Sequence, residues 1–543
     1  MSAVPKYQIE RLDHLGIVSG VIKDLGIIEL IDEKLGIYPD ENISTGEAVA
    51  GMIINGLGFS NKPLSLTPLF FENCPLNILF REGVSAQDFN RFKLGRALDR
   101  CHGYGTELLF SEISMDVCRR EGVDTRFNSL DSTSFSLSGD YLGQTDEDTI
   151  EIKLGHSKDH RPDLKQVMLE MMVSHDGGIP LLGKSLDGNS SDNTVFEDRS
   201  KRLVEAFKAS ETPRYLIADC KLYTAKNAVN LKDLPFITRI PNHLNVVKST
   251  IEKALTLKDA WETLADGRKI QTFNIEHYDI EQRWHVVSSD TSRELGEKQV
   301  KKRVLKEEEA IKKQLNHLQA KRFNCSDDAT TTAQTIAKKW KLHNINSCQI
   351  IEHPQYEGKG RPKKGQKPAK FTYQIRVTQE QNTDEVARLT SVAGHYIIGG
   401  NIDDKVLNAA EVVSTYQEQN QVEQGFRFLK DPLFFTSSLF VKTQSRIMGL
   451  LMVMLLSLLV YGIAQRRMRS NLARQKETLP NQIGQKNEAP TLRWVFQLLQ
   501  GIHSLKISIG SHSETLMEGI SALRKKILLL FGKNVANIYQ ISY

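Results

Sequence analysis

Residues 447–464 read IMGLLMVMLLSLLVYGIA, eighteen residues without a charge. A helix of that composition is apolar on every side, so it has two homes: a bilayer, or the centre of a core large enough to surround it. Arg466, Arg467 and Arg469 follow it and would serve as positive flanks in the first case. The rest of the chain favours the second. With 543 residues, 40% hydrophobic and 25% charged, it is an ordinary globular composition, long enough for about three or four domains. No second run of this kind occurs, and the opening MSAVPKYQIERLDH lacks the apolar stretch of a secretory leader. The expectation is a core helix beneath a sheet in a cytoplasmic protein, with no membrane.

Cys74, Cys101, Cys118, Cys220, Cys325 and Cys348 are scattered without any C-x-x-C pair, which argues against zinc ribbons and for buried thiols in a reducing compartment. The net charge, 71 minus 66 or +5, admits a nucleic-acid partner without requiring one.

Residues 7–122 read as short helices. Ser44-Thr-Gly-Glu47 is a capping box that opens a helix through Leu57. Ser85 begins a further stretch carrying Arg91, Lys93, Arg96 and Arg100, and Thr106 caps a helix to Arg120. Two readings stay open for this region: a helix-turn-helix-like DNA reader, or a bundle for packing or dimerisation. At residue 127 the period changes. Residues 127–137 and 164–174 are strand-like, and a turn at Asp176-Gly-Gly178 leads into a third strand, 179–186, so the last two form a hairpin. A helix over 194–209, a strand over 214–219 ending on an acid, a helix over 225–231 and a strand over 236–239 follow. That order is the order of a ribonuclease-H-like α/β domain, with Asp131 midway along the first strand and Asp219 ending the fourth.

Residues 240–400 interrupt it. The stretch holds strand candidates at 269–275 and 283–288 and a charged helix, 294–323. That helix's stripe of Val304, Ile311, Leu315 and Leu318 suits intramolecular packing. GKGRPKKGQKPAK (358–370), with Lys363 and Lys364, is a basic loop leading into the strand FTYQIRV, suited to phosphate contact or simply solvated.

The stretch 415–430, TYQEQNQVEQGFRFLK, is predicted as one helix. Tyr416, Gln419, Glu423 and Lys430 stand at offsets of zero, three, seven and fourteen, on one polar stripe, and Val422, Phe426 and Leu429 on a separate buried face. Such a stripe suits an anionic ligand or a metal-bound phosphate; an ordinary amphipathic helix is the alternative. Asp131, Asp219 and Glu423 would have to be gathered by folding. The chemical reason for gathering them is that two Mg²⁺ or Mn²⁺ ions, about 4 Å apart in two-metal sites, need shared carboxylate oxygens for an in-line phosphoryl transfer.

Tyr416-x2-Gln419-x3-Glu423-x6-Lys430 resembles the Y-(2)-R-(3)-E-(6)-K signature of DDE transposases from bacterial insertion sequences. LDSTSF around Asp131, LGHSKDHRPDLKQ (154–166), IADCKLYTAKN around Asp219 and VEQGFRFLKDP around Glu423 are similar to that family's catalytic blocks. The resemblance covers about residues 125–500. It implies a helical N-terminal region that binds DNA ends (1–122) and a catalytic core in two parts (123–240 and 406–475). It also implies a β-rich insertion with one charged helix (241–405) and a helical C-terminal region (476–543). It further implies metal-dependent cleavage and strand transfer at the terminal inverted repeats of an insertion sequence, in a bacterial or archaeal nucleoid, by a homodimer on DNA. Asp131, Asp219 and Glu423 would be the metal-binding triad, with Tyr416 and Lys430 on DNA phosphates. Gln419 stands where the signature has Arg, which removes a charged fork; Arg427, one turn past Glu423, is a candidate replacement. His156, Lys158, His160 and Arg161 crowd one loop: a zinc pair, a phosphate contact and plain loop structure all stay open. Trp284 is a candidate to stack on a flipped base or, equally, a core residue. The rival functions are a DNA-binding descendant without catalysis, a hydrolase that cuts without joining, and a membrane protein.

Overall fold

A computed structural model describes residues 6–60, 62–137, 139, 141, 148–156, 161–190, 214–358, 361–434, 441–509 and 512–542. They form two compact units, 1–238 with 414–543, and 239–413.

The first unit opens on strand β1 (Lys6–Arg11), then runs through helices Leu15–Leu25, Ile27–Leu35, Thr45–Leu57, Arg91–Tyr104 and Thr106–Glu121. Their boundaries follow local chemistry. Gly26 takes φ 64° and breaks the first two helices apart. At Ser44 the expected box is present: Glu47 N–H donates to Ser44 Oγ at 3.0 Å and Ser44 N–H to Glu47 Oε2 at 2.8 Å. Strands β2 (Phe127–Leu137), β3 (Lys165–Ser174), β4 (Pro180–Leu186), β5 (Tyr215–Ala218) and β6 (Phe236–Ile240) follow. Their order in the sheet is β4-β3-β2-β5-β6, with β2, β3 and β4 antiparallel and β2, β5 and β6 parallel. The helix expected over 194–209 lies outside the described residues.

The second unit carries β7 (Glu262–Thr263), β8 (Lys269–His277), β9 (Ile280–Ser288), β10 (His343–Gln355), β11 (Lys370–Gln381) and β12 (His395–Gly400). Strands β12-β9-β8-β7 lie side by side, and β10 and β11 form a separate long hairpin. Helix Asp290–Ala320 lays Ile311, Leu315 and Leu318 against Ile375 and Val377 of β11, so the seven-residue stripe packs within the chain.

The chain then returns to the first unit. Helix Gln444–Gln475 contains the apolar run, and 89% of its most apolar window is buried. It packs against helices Leu15–Leu25, Thr45–Leu57, Arg91–Tyr104 and Thr106–Glu121 and against β4. The arginines at its end are engaged within the protein. Arg466 forks onto Asp176, Arg467 reaches Glu121 and Asp24, and Arg469 donates to the carbonyl of Pro490.

Two expectations are corrected at the ends of this unit. The C-terminal region is not wholly helical. After β13 (Leu479–Pro480) and β14 (Lys486–Asn487), strands β15 (His503–Ile509) and β16 (His512–Glu518) form a hairpin within the region expected to be helical, 476–543. The N-terminal region is not wholly helical either, because β1 pairs with β15 along its whole length. The cause is tertiary: the alternation of HSLKISI pays off only beside a partner edge, and local propensity does not reveal where that edge comes from. Among the cysteines, Cys74, Cys101 and Cys118 are buried, but Cys220 and Cys325 are half-buried and Cys348 is exposed.

Candidate active site

The parallel ladder of β2 and β5 ends on the pair Leu130 and Ala218. One step further, Asp131 and Asp219 stand side by side, on strands that lie about 4.8 Å apart in any such ladder. Equal register puts both side chains on one face. Each carboxylate is half-buried and is oriented from its own backbone. Ser132 N–H donates to Asp131 Oδ1 at 2.7 Å and Cys220 N–H to Asp219 Oδ1 at 2.6 Å. Asp219 also caps the 3-10 turn Cys220–Leu222 that ends the strand.

Glu423 comes from helix Asn420–Leu429, which packs on β2 and β3 through Val422, Phe426 and Leu429. Gly425 permits the close approach: a methyl group there would sit 2.8 Å from Met171 Cε and 3.2 Å from Leu458 Cδ2. Met171 is the direct cross-strand partner of Asp131 and shares its face. At the other end of the helix, Lys430 Nζ lies 5.6 Å from the ring centre of Phe135, four residues along β2 from Asp131 on that same face. The helix therefore runs over the sheet face that bears the aspartates. Glu423 itself is exposed. Among the described residues no group of three or more His, Cys, Asp or Glu is gathered to hold a metal ion. The donors are all hard oxygens, the kind Mg²⁺ and Mn²⁺ take.

The single helix expected over 415–430 is in fact two, Ala409–Gln417 and Asn420–Leu429. Between them the backbone tightens into three-residue turns: Gln419 N–H donates to Tyr416 O, Gln421 N–H to Glu418 O and Val422 N–H to Gln419 O. That interrupts the single helix on which Tyr416 and Gln419 were set in one stripe with Glu423. Glu423, Arg427 and Lys430 keep a common side, at i, i+4 and i+7. Arg427 is exposed, and Lys430 is half-buried at the helix end.

Arg161 is forked onto Asp163, at 2.9 and 2.7 Å. Lys158 and His160 lie outside the described residues, so the zinc pair with His156 is not described. Trp284 is fully buried in β9 and donates to Gln282 Oε1 at 2.9 Å, surroundings that match the core reading. Lys363 and Lys364 are exposed in the loop joining β10 and β11. On helix Arg91–Tyr104, Lys93 is buried against Glu41 and Arg100 binds the same carboxylate, so these two cations are taken up inside the bundle. Together they hold the Glu41 carboxyl down at about 2 against the cost of its burial.

Sequence reasoning missed a clasp at the foot of the site. His175, in the β3–β4 turn, lies with Nε2 2.7 Å from Ser129 Oγ and Nδ1 3.0 Å from Glu418 Oε2, and its carbonyl accepts from Gln421 Nε2 at 3.0 Å. Burial pushes His175 down to about 4 and Glu418 up. The hairpin thereby grips the junction from which the Glu423 helix starts. The visible signal was the His-Asp-Gly-Gly turn, whose histidine no strand pattern requires.

The family described as "Transposase DDE domain" matches residues 124–460. This chain belongs to that family. The N-terminal helices, residues 7–115, match a "Domain of unknown function (DUF4277)". No curated protein matches the transposase chain. A solved structure, the piggyBac transposase synaptic complex with hairpin DNA, is similar at 10% identity over 91% of this chain and 82% of its own, with a TM-score of 0.34. That likeness is too distant to carry an argument. DDE transposases use divalent metal ions as a family, and this chain is a transposase by membership.

Proposed function

We propose that this transposase cuts and joins DNA strands at the terminal inverted repeats of an insertion sequence, using Asp131, Asp219 and Glu423 to hold two Mg²⁺ or Mn²⁺ ions. The register that sets Asp131 beside Asp219 under the Glu423 helix carries this reading. The strand order third-second-first-fourth-fifth, with the first three antiparallel and the last two parallel to the first, supports a ribonuclease-H-like core interrupted by an insertion. When bound, the ions would supply charge neutralisation and an activated water or 3′-hydroxyl. The chain's own part is to hold the carboxylates and place the DNA. Lys430 and Arg427, on the same side of the helix as Glu423, would draw the scissile phosphate toward it. Lys363 and Lys364 would touch flanking phosphates. DNA ends would be recognised by the N-terminal helices through surfaces other than Lys93 and Arg100, and synapsis would use two copies of the chain.

The test is end-labelled duplex carrying the element's own termini, incubated with Mg²⁺ or Mn²⁺. Wild type is expected to nick at the end. Asp131→Ala, Asp219→Ala and Glu423→Ala are each expected to lose at least a thousandfold in rate while still binding. Binding without cleavage under either metal would establish instead a DNA-binding relative without catalysis. Cleavage that survives Glu423→Ala would remove that helix from the active site.

A further inference from the structure

Behind the Glu423 helix lies a cavity of about 560 Å³, floored by Gly425, Leu458 and Gly462. Its charged lining is Arg427, Arg469 and Arg493 against Asp431, three positive groups to one negative. Aromatic rings line it too. Phe428 and Tyr461 pack at 4.5 Å between centroids, and Phe59 meets Phe428 edge-on at 6.0 Å. Phe59 adopts φ 47°, the left-handed turn that ends helix Thr45–Leu57, where its N–H donates to Gly56 O at 3.2 Å. That backbone brings its ring under Arg493, whose guanidinium carbon is 3.5 Å from the ring centre. Arg493 is also within 3.5 Å of Asp431, so the cation is held at the cavity from two sides.

The position of Arg427 links this cavity to the candidate active site. On the helix it stands one turn from Glu423 and thus shares its side, yet it also lines the cavity. Arg427 thus connects the Glu423 side of the helix with the cavity. Arginines for a phosphodiester and flat rings for a base are the two halves of single-strand recognition, and the volume suits one nucleotide.

We propose that this cavity binds one nucleotide of a DNA strand leaving the active site, its phosphate on Arg427 and Arg493 and its base against the Phe59, Phe428 and Tyr461 rings. The proposal rests on the transposase reading above. Its test is nevertheless separate: the full chain is photocrosslinked to a single-stranded hexamer containing 5-iodouracil, in EDTA, where no cleavage chemistry operates. Crosslinks are expected at Phe59, Phe428 or Tyr461, and Arg427→Gln and Arg493→Gln are each expected to weaken hexamer binding about tenfold. Arg427 is exposed, so its replacement leaves folding intact and keeps the test valid if Arg493→Gln does not fold. Crosslinks confined to other residues, or wild-type affinity in Arg427→Gln, would overturn the proposal. So would free deoxyuridine monophosphate competing as well as the hexamer, which would mark a site for free nucleotides. If Asp219→Ala cleaves normally while the crosslinks persist, the catalytic assignment fails and the cavity stands.

Discussion

His14 shows how one side chain ties stability to pH. Its ring stacks on Phe496 at 4.1 Å and Nε2 lies 2.9 Å from the carbonyl of Leu57, so that nitrogen carries the proton. Among the described residues Nδ1 is buried without a hydrogen-bond partner, and burial lowers the group from 6.5 to about 4. Above pH 6.5 both folded and unfolded chains keep the ring neutral, and nothing is lost. Between 6.5 and 4 the unfolded chain takes up a proton that the folded one refuses, so stability falls as pH falls through that window. From pH 7 to pH 5 this single group is expected to cost about 2 kcal/mol. His14→Gln keeps a donor for Leu57 and cannot titrate. Urea unfolding at the two pH values should therefore show the loss in wild type and a smaller loss in the variant. Equal losses would mean that other groups govern the acid limb.

For single elements, the Glu423 helix is the most informative, because its place depends on one missing methyl group. Gly425→Ala gains about 1 kcal/mol of helix propensity and meets Met171 Cε and Leu458 Cδ2, the far ends of flexible side chains, at a packing cost of about 1–3 kcal/mol. The balance runs from no change to a loss of about 2 kcal/mol, so the urea midpoint should hold or fall modestly. End cleavage should still fall tenfold or more, because the helix is lifted from the face that holds Asp131. Unchanged cleavage would mean that the distance between helix and sheet does not set the position of Glu423. Much of this element was legible in advance. The buried spacing of Val422, Phe426 and Leu429 marked its core side, and both aspartate strands were placed from alternation and their flanking turns. The break after Gln417 was not legible, because its surroundings include His175, some 240 residues earlier in the chain, whose carbonyl accepts from Gln421. The register of β2 against β5 was also hidden: periodicity places a residue on a face but does not say which residue of another strand lies beside it.

Taken whole, the first unit is built from both ends of the chain. Besides β1 on β15, Val535 presses on Gly20, Ile538 on Gly16, and the buried Tyr539 donates its hydroxyl to the carbonyl of Asp13. Removing residues 532–543 would open the apolar faces of Leu15, Ile17 and Val21. The truncated protein is expected to lose at least 4 kcal/mol of unfolding free energy, by analogy with several large-to-small core changes made together. Limited proteolysis should then cut first within residues 6–40. Resistance there equal to the full-length protein would show that the N-terminal helices stand without this layer. The sequence did not disclose the arrangement, because nothing in either terminal segment names the other as its partner.

This closure also sets a clock. Gly16 leaves the ribosome 523 residues before Tyr539 does, and at synthesis rates of about 5–20 residues per second that is an interval of about half a minute to two minutes. Throughout it the first helices lack the surface that completes them and need shelter from premature association. The same delay means that a chain stopped early by a nonsense codon or a frameshift never assembles this layer, so only full-length translation yields the finished fold.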